Sequence, residues 1–284
     1  MENILNKQRE FFKTSKTLDI KFRKEALLKL KESIFSNLED LVKAFKEDYN
    51  KSEFDVYSTE IGMVVQEINY FIKHLKVLSR DKRVGTSLFN FPSRGYIVSE
   101  PYGNVLVVSP WNYPFQLAMM PLIGALAAGN TVYLKMSRNV PRVSEVIKRI
   151  LSVFEDEYVY VMENTKENMG NLFDLKFDYI FYTGSPSVAK DLMKRQADYL
   201  TPMTLELGGK SPCIVDKDAN IEKSAKRLVW GKYLNAGQTC VAPDYVLVHS
   251  DVKRELIKYV LKYINEFYYE SGKLKEDFTG IVNE

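Results

Sequence analysis

Asn104-Val105-Leu106-Val107-Val108-Ser109-Pro110 is a continuous apolar run closed by a proline, the pattern of a strand covered on both faces. Trp111-Asn112-Tyr113-Pro114 breaks the run, and Gln116 to Ala128 returns to helical character before Gly129-Asn130. A second buried strand follows, Thr131-Val132-Tyr133-Leu134-Lys135, then a helix expected from about Pro141 to Phe154. Tyr158-Val159-Tyr160-Val161-Met162 and Tyr179-Ile180-Phe181-Tyr182 supply two more strands. Strand, helix, strand, helix, strand in succession predicts an α/β fold with a parallel sheet between two helical layers. Sheets of that kind bind ligands beyond the carboxyl ends of their strands.

Upstream, apolar residues recur as Leu27, Leu30, Ile34, Leu38, Leu41 and Phe45, at steps of three and four with Lys and Glu between them. This spacing predicts one amphipathic helix from Phe22 to Phe45. Ile61, Val64, Ile68, Phe71, Leu75 and Leu78 repeat the pattern, so the first eighty or so residues read as a helical layer. Near Arg83 the texture changes. Ser87 to Ser99 reads as two short extended segments around Pro92 and Gly95, which is hairpin chemistry. A hairpin projecting from a helical layer has edges to cover, and a subunit contact would cover them.

Composition narrows the function. With 45% hydrophobic and 27% charged residues, the chain is expected to be folded and globular rather than disordered. Forty basic against 37 acidic side chains leave a formal charge of +3, no electrostatic footprint for nucleic acid. The two cysteines, Cys213 and Cys240, form neither a disulfide framework nor a CxxC metal pattern. Met1 to Lys21 is charged throughout and no apolar run reaches membrane-spanning length, so a cytoplasmic protein is expected. His74 and His249 lack carboxylate or cysteine neighbours in a motif, which argues against Ser-His-Asp catalysis and histidine-ligated zinc.

Four features carry chemistry. Thr183-Gly184-Ser185-Pro186-Ser187 follows a strand and opens a helix, so its backbone N–H groups and the helix dipole can receive a phosphate. With Gly184 as its only glycine it is not a GxGxxG fingerprint, and an ordinary strand-to-helix turn reads the same way. Lys135 closes its strand, as a ligand contact or as a solvated cation. Asn235-Ala236-Gly237-Gln238-Thr239-Cys240 sets a thiol in a small polar loop, and Glu206 precedes Gly208-Gly209. Cys213 sits in the apolar strand Ser211-Pro212-Cys213-Ile214-Val215, as a small buried hydrophobe.

Taken together and in order, Pro110-Trp111-Asn112-Tyr113-Pro114, Tyr133-Leu134-Lys135, Phe181-Tyr182-Thr183-Gly184-Ser185, Leu205 to Pro212 and Asn235 to Cys240 resemble the NAD(P)-dependent aldehyde dehydrogenases. The likeness is strongest to the shorter branch acting on medium- and long-chain aliphatic or aromatic aldehydes, through Leu200-Thr201-Pro202, Trp230-Gly231-Lys232-Tyr233 and Ala242-Pro243-Asp244-Tyr245. The resemblance implies a Rossmann-like cofactor domain with an N-terminal helical layer, then an incomplete α/β catalytic domain. The implied parts are a helical layer over residues 1–84, an oligomerisation hairpin over 85–100, an NAD(P)-binding domain over 101–204 and a partial catalytic domain over 205–284.

The same resemblance assigns Cys240 as nucleophile, Glu206 as the base that activates water, and Asn112 as a donor to the oxyanion. It implies a cofactor site of Lys135, Ser137, Arg138, Thr183, Gly184, Ser185 and Leu207. Two departures stand out. The usual Lys-Pro-Ser-Glu is Lys135-Met136-Ser137-Arg138, a cation in place of the carboxylate that chelates the ribose, which brings a 2′-phosphate within reach and leaves NAD and NADP both open. The family's later Glu-x-Phe-Gly-Pro motif is not found before Glu284. A C-terminally truncated member is therefore expected, with a homodimer or a complementing C-terminal fragment as partner. The alternative to aldehyde oxidation is a catalytically impaired dinucleotide-binding or interaction module.

Overall fold

The computed structural model describes residues 1–163, 165 and 170–283. The N-terminal helices are Glu2–Lys13, Ile20–Ser36, Leu38–Tyr49 and Gly62–Leu78. The single helix expected from Phe22 to Phe45 is thus two. Asn37 divides them because its Nδ2 donates to the Ser33 carbonyl at 2.8 Å, a local alternative to continuing the helical ladder. Leu27, Leu30 and Ile34 before the break, and Leu41 and Phe45 after it, are all fully buried in one core. Before Gly62 the chain makes one short helix, Glu53–Val56, and a π turn, Tyr57–Ile61, which carries the buried Glu60.

The hairpin exists with shifted arms. Strand β1 (Lys82–Val84) pairs antiparallel with β2 (Gly95–Ile97), Arg83 opposite Tyr96. Ser87–Phe91, expected to be extended, is mostly a 3-10 turn, Leu88–Asn90, because Ser87 Oγ accepts the Phe89 N–H at 3.3 Å. Its apolar side chains Leu88 and Phe89 are exposed.

The main sheet contains β3 (Asn104–Val108), β4 (Thr131–Lys135), β5 (Val159–Val161), β6 (Tyr179–Gly184) and β7 (Met203–Leu207). The order is β5-β4-β3-β6-β7 and every pairing is parallel. After Asn104, the apolar strand β3 divides its side chains between two cores. Val105 and Val107 join one with the helices Ile20–Ser36, Gln116–Ala128 and Pro141–Leu151, while Leu106 and Val108 join another with Leu5, Ala189 and Leu192. The N-terminal helices are therefore not one layer. Glu2–Lys13 spans both cores, with Phe11 packed against the first and Leu5 buried in the second, and Gln8 Nε2 donates to the Val132 carbonyl at 2.9 Å.

The order reverses at β3. From there β4 and β5 run out to one side and β6 and β7 to the other, so a crevice opens between the ends of β3 and β6. β6 also runs two residues beyond Tyr182, because Thr183 and Gly184 pair with Glu206 and Leu207 of β7.

After the main sheet, β8 (Ser211–Val215) and β9 (Pro243–Val248) pair in parallel, packed on the helices Ile221–Tyr233 and Lys253–Tyr268. Only one face is covered: Val215 is buried, whereas Ile214 is 74% exposed. Cys213 is accordingly half-buried against that small core rather than fully buried. A short hairpin, β10 (Tyr269–Glu270) with β11 (Lys273–Leu274), leads to a segment that returns to the N-terminal helices, where Asn50 Nδ2 donates to the Phe278 carbonyl at 3.1 Å. No helix among the described residues is long and apolar enough to cross a membrane.

The approach to β4 depends on two residues. Gly129 ends the Gln116–Ala128 helix at φ +95°, where a Cβ would lie 2.9 Å from the Thr17 carbonyl oxygen. Buried Asn130 then accepts the Gly103 N–H and donates to the Ala125 carbonyl, both at 3.0 Å, tying the helix end to the start of β3. Asn130→Ala leaves the Gly103 N–H buried and unpaired. Chemical denaturation is expected to show a loss of about 1–3 kcal/mol.

Candidate active site

β3 is followed by Ser109, whose N–H donates to the Lys135 carbonyl at 2.9 Å. The loop that follows carries Asn112 and Tyr113, and it is joined to the cysteine loop by three side-chain contacts. Asn112 Nδ2 donates to the Gln238 carbonyl at 3.0 Å, Asn235 Nδ2 donates to the Asn112 carbonyl at 2.8 Å, and the Tyr113 and Thr239 hydroxyls lie 2.6 Å apart.

The cysteine loop needs that support. Asn235, Ala236 and Gly237 are all left-handed, with φ of 54°, 54° and 78°. A non-glycine residue in this region costs about 1–2 kcal/mol, so the loop holds its shape only against outside contacts. Gln238 adds one: its Nε2 donates to the Gly280 carbonyl at 3.0 Å and its Oε1 accepts the Val282 N–H at 3.1 Å. Cys240 is exposed at the end of this loop. Gly209 passes directly beneath, and a Cβ there would lie 2.6 Å from the Cys240 carbonyl oxygen.

Cys240, Glu206 and Asn112 line one cavity of about 630 Å³ at the carboxyl edge of the main sheet. Lys135, Ser137, Thr183, Gly184, Ser185 and Leu207 line it too. Arg138 does not line it. Its side chain is exposed, close enough to Lys135 to repel the ammonium. Burial first, then Arg138, brings the Lys135 pKa down to about 8.

The donor set fits a dinucleotide on three observations. Thr183 Oγ1 is buried with no hydrogen-bond partner. Gly184 leaves an opening that a Cβ would close, since that atom would lie 2.3 Å from the Tyr182 hydroxyl. The helix Pro186–Gln196 starts at the cavity, capped by Ser185, whose Oγ accepts the Val188 N–H at 3.4 Å. Cation, orphan hydroxyl and helix N-terminus together suit an anionic, hydroxyl-rich ligand.

On the other side of Asn235 lies a second hollow of about 520 Å³, where aromatic residues such as Phe54, Trp230 and Phe267 alternate with the charged Asp55, Glu266 and Lys275. Below the cysteine loop is a buried ion pair, Lys51 Nζ to Glu60 Oε1 at 2.9 Å. Burial pushes the Glu60 carboxyl above the usual range, while Lys51 and the Gln116 N–H draw it back. Sequence reading missed this pair because Glu60 stands within a π turn that periodicity does not register. It also missed the Tyr113–Thr239 contact, although both residues stand inside motifs quoted for their neighbours.

A sequence profile described as the aldehyde dehydrogenase family matches residues 1–283. A 4,4′-diaponeurosporen-aldehyde dehydrogenase of Staphylococcus aureus is 47% identical over 274 residues, covering 96% of this chain and 60% of that protein. A dimeric NADP-preferring aldehyde dehydrogenase of Mus musculus is 39% identical, covering 100% and 63%. Among solved structures, the substrate-bound state of Staphylococcus aureus AldH superposes with a TM-score of 0.96 at 45% identity, covering 99% of this chain and 62% of that one. The chain thus spans about 60% of the length of such relatives.

The two thiols differ in access. With dithionitrobenzoate, Cys240 is expected to react at least roughly tenfold faster than the half-buried Cys213. Cys240→Ser should remove the fast phase alone, as followed by absorbance.

Proposed function

We propose that this chain, which belongs to the aldehyde dehydrogenase family, oxidises aldehydes to carboxylic acids through a thioester on Cys240. The observation that carries the reading is the meeting of thiol, carboxylate and amide in the same cavity that Lys135, Thr183 and Gly184 line. Cys240 Sγ, as thiolate, attacks the carbonyl carbon, and the C=O electron pair moves onto oxygen. Asn112 Nδ2 spends one hydrogen on Gln238 and has a second for that oxyanion. The Cys240 N–H, which has no acceptor among the described residues, supplies another donor. Lys135, Ser137, Thr183, Gly184, Ser185 and Leu207 would hold NAD or NADP, which when bound supplies the two-electron acceptor that oxidation of the aldehyde to a thioester requires. Glu206 then takes a proton from the water that attacks the thioester, and Cys240 leaves as thiolate while the acid forms.

Medium- and long-chain aliphatic or aromatic aldehydes are the proposed substrates, a reading supported by similarity to the 4,4′-diaponeurosporen-aldehyde dehydrogenase of Staphylococcus aureus. Arg138 favours a 2′-phosphate, hence NADP. A second reading is a dinucleotide-binding or interaction module, or one half of an enzyme completed by a C-terminal fragment. It draws on the open face of β8 and β9, where Ile214 and Leu247 are exposed, and on Val241, exposed next to the nucleophile. The exposed hairpin tip supports a homodimer.

Purified chain is expected to form NAD(P)H only when aldehyde is added. Cys240→Ser should abolish this, and Asn112→Ala should lower it roughly a hundredfold or more. Glu206→Gln should keep the first turnover and lose the later ones. Dinucleotide binding without aldehyde-dependent reduction would favour the second reading.

Two further measurements bear on the cofactor. Arg138→Glu should shift preference from NADP towards NAD, read as the ratio of the two dissociation constants. The Lys135 ammonium is present below about pH 8 and lost above it. Dinucleotide affinity should therefore fall as pH rises past that value, and Lys135→Gln should flatten the dependence.

A further inference from the structure

Neither side chain of the Lys51–Glu60 pair exceeds 1% exposure. Burying two charges costs several kcal/mol per ion, and a well-packed apolar pair of similar volume often serves stability as well or better. Two contacts of this pair nevertheless lead to the segment after β3 that meets the cysteine loop. Glu60 Oε2 accepts the Gln116 N–H at 2.9 Å, where the helix running to Ala128 begins. The Lys51 ammonium lies 4.7 Å from the ring centroid of Tyr113 and 5.4 Å from that of Phe45. One charge thus fixes the Tyr113 ring while the other fixes the backbone three residues later. Glu60 is delivered by the π turn Tyr57–Ile61, a distortion that recurs at functional segments.

Tyr113 is outside the cavity lining, whereas Thr239 and Cys240 are part of it. The Tyr113 hydroxyl, 2.6 Å from Thr239 Oγ1, is the link between the buried pair and the residue before the thiol. We infer that Lys51, Glu60 and Tyr113 are positioning residues that hold Cys240 against the Asn112 amide through Thr239. The inference rests on the reading of Cys240 as nucleophile. Its physical need is the left-handed run at Asn235–Gly237, which relaxes unless something rigid pins the loop beyond it.

Acylation and alkylation separate position from mere access. With 4-nitrophenyl acetate the thiolate attacks the ester carbonyl, a thioester forms, the aryl C–O bond breaks and 4-nitrophenolate leaves; the step passes through an oxyanion. Iodoacetamide alkylates the same sulfur by displacing iodide, with no oxyanion. In a Cys213→Ser background, Tyr113→Phe and Thr239→Val are each expected to slow acylation of Cys240 about tenfold or more. Alkylation should stay within twofold. Thr239→Ser, which keeps the hydroxyl, should recover most of the lost rate, and the Tyr113→Phe/Thr239→Val double variant should be no slower than either single one.

Lys51→Met alone strands a buried carboxylate and risks unfolding. Lys51→Met/Glu60→Gln removes both charges; with an unchanged thermal melt it should show the same selective loss of acylation. Acylation within twofold of the parent in a folded Tyr113→Phe protein overturns the inference. A parent that acylates no faster than free cysteine overturns the nucleophile reading instead, so the two failures are distinguishable.

Discussion

The cleft depends on hydrogen bonds between two loops 126 residues apart, with Asn112 donating to the Gln238 carbonyl and Tyr113 meeting Thr239. Neither loop holds its shape by itself. The first leaves β3 through a proline, and the second contains three left-handed residues in succession. Joined, they set the thiol above Gly209 and opposite the cleft between β3 and β6, and the chemistry proposed for Cys240 requires that arrangement.

The sheet supplies the other half of the site. Strand order β5-β4-β3-β6-β7 brings the end of β4, with Lys135, and the end of β6, with Gly184, to the same edge as Glu206 on β7. These side chains come from separate strands, and parallel register aligns their ends. The two cores on either side of β3 make this edge rigid. Polar atoms left unpaired at it, such as Thr183 Oγ1, are at a place where a ligand can use them.

Much of this was legible in the sequence. The apolar runs at 104–108 and 131–135 gave two-faced strands because burial on both sides removes alternation. The residues proposed for the site, Arg138 excepted, line one cavity, and those at the ends of β3, β4, β6 and β7 converge there because the strands are parallel. What was not legible depended on competition or distance. Asn37 divides a helix whose periodicity runs through it, since side-chain hydrogen bonding outcompetes the ladder. Ser87 turns a segment whose composition reads as extended. The Lys51–Glu60 pair looks like two surface charges until the fold encloses them. Cys213 keeps partial exposure because β8 and β9 are covered on one face only, which no local pattern records.

The left-handed run before Cys240 also bears on which substitutions reach the thiol. Its cost is offset by bonds within the loop, such as Gln238 Nε2 to the Asn235 carbonyl, and by partners from residues 112–113 and 280–282. The setting of Cys240 is thus shared among segments far apart in the chain, so a substitution at residues 112–113 or 280–282 can reach the thiol without touching it.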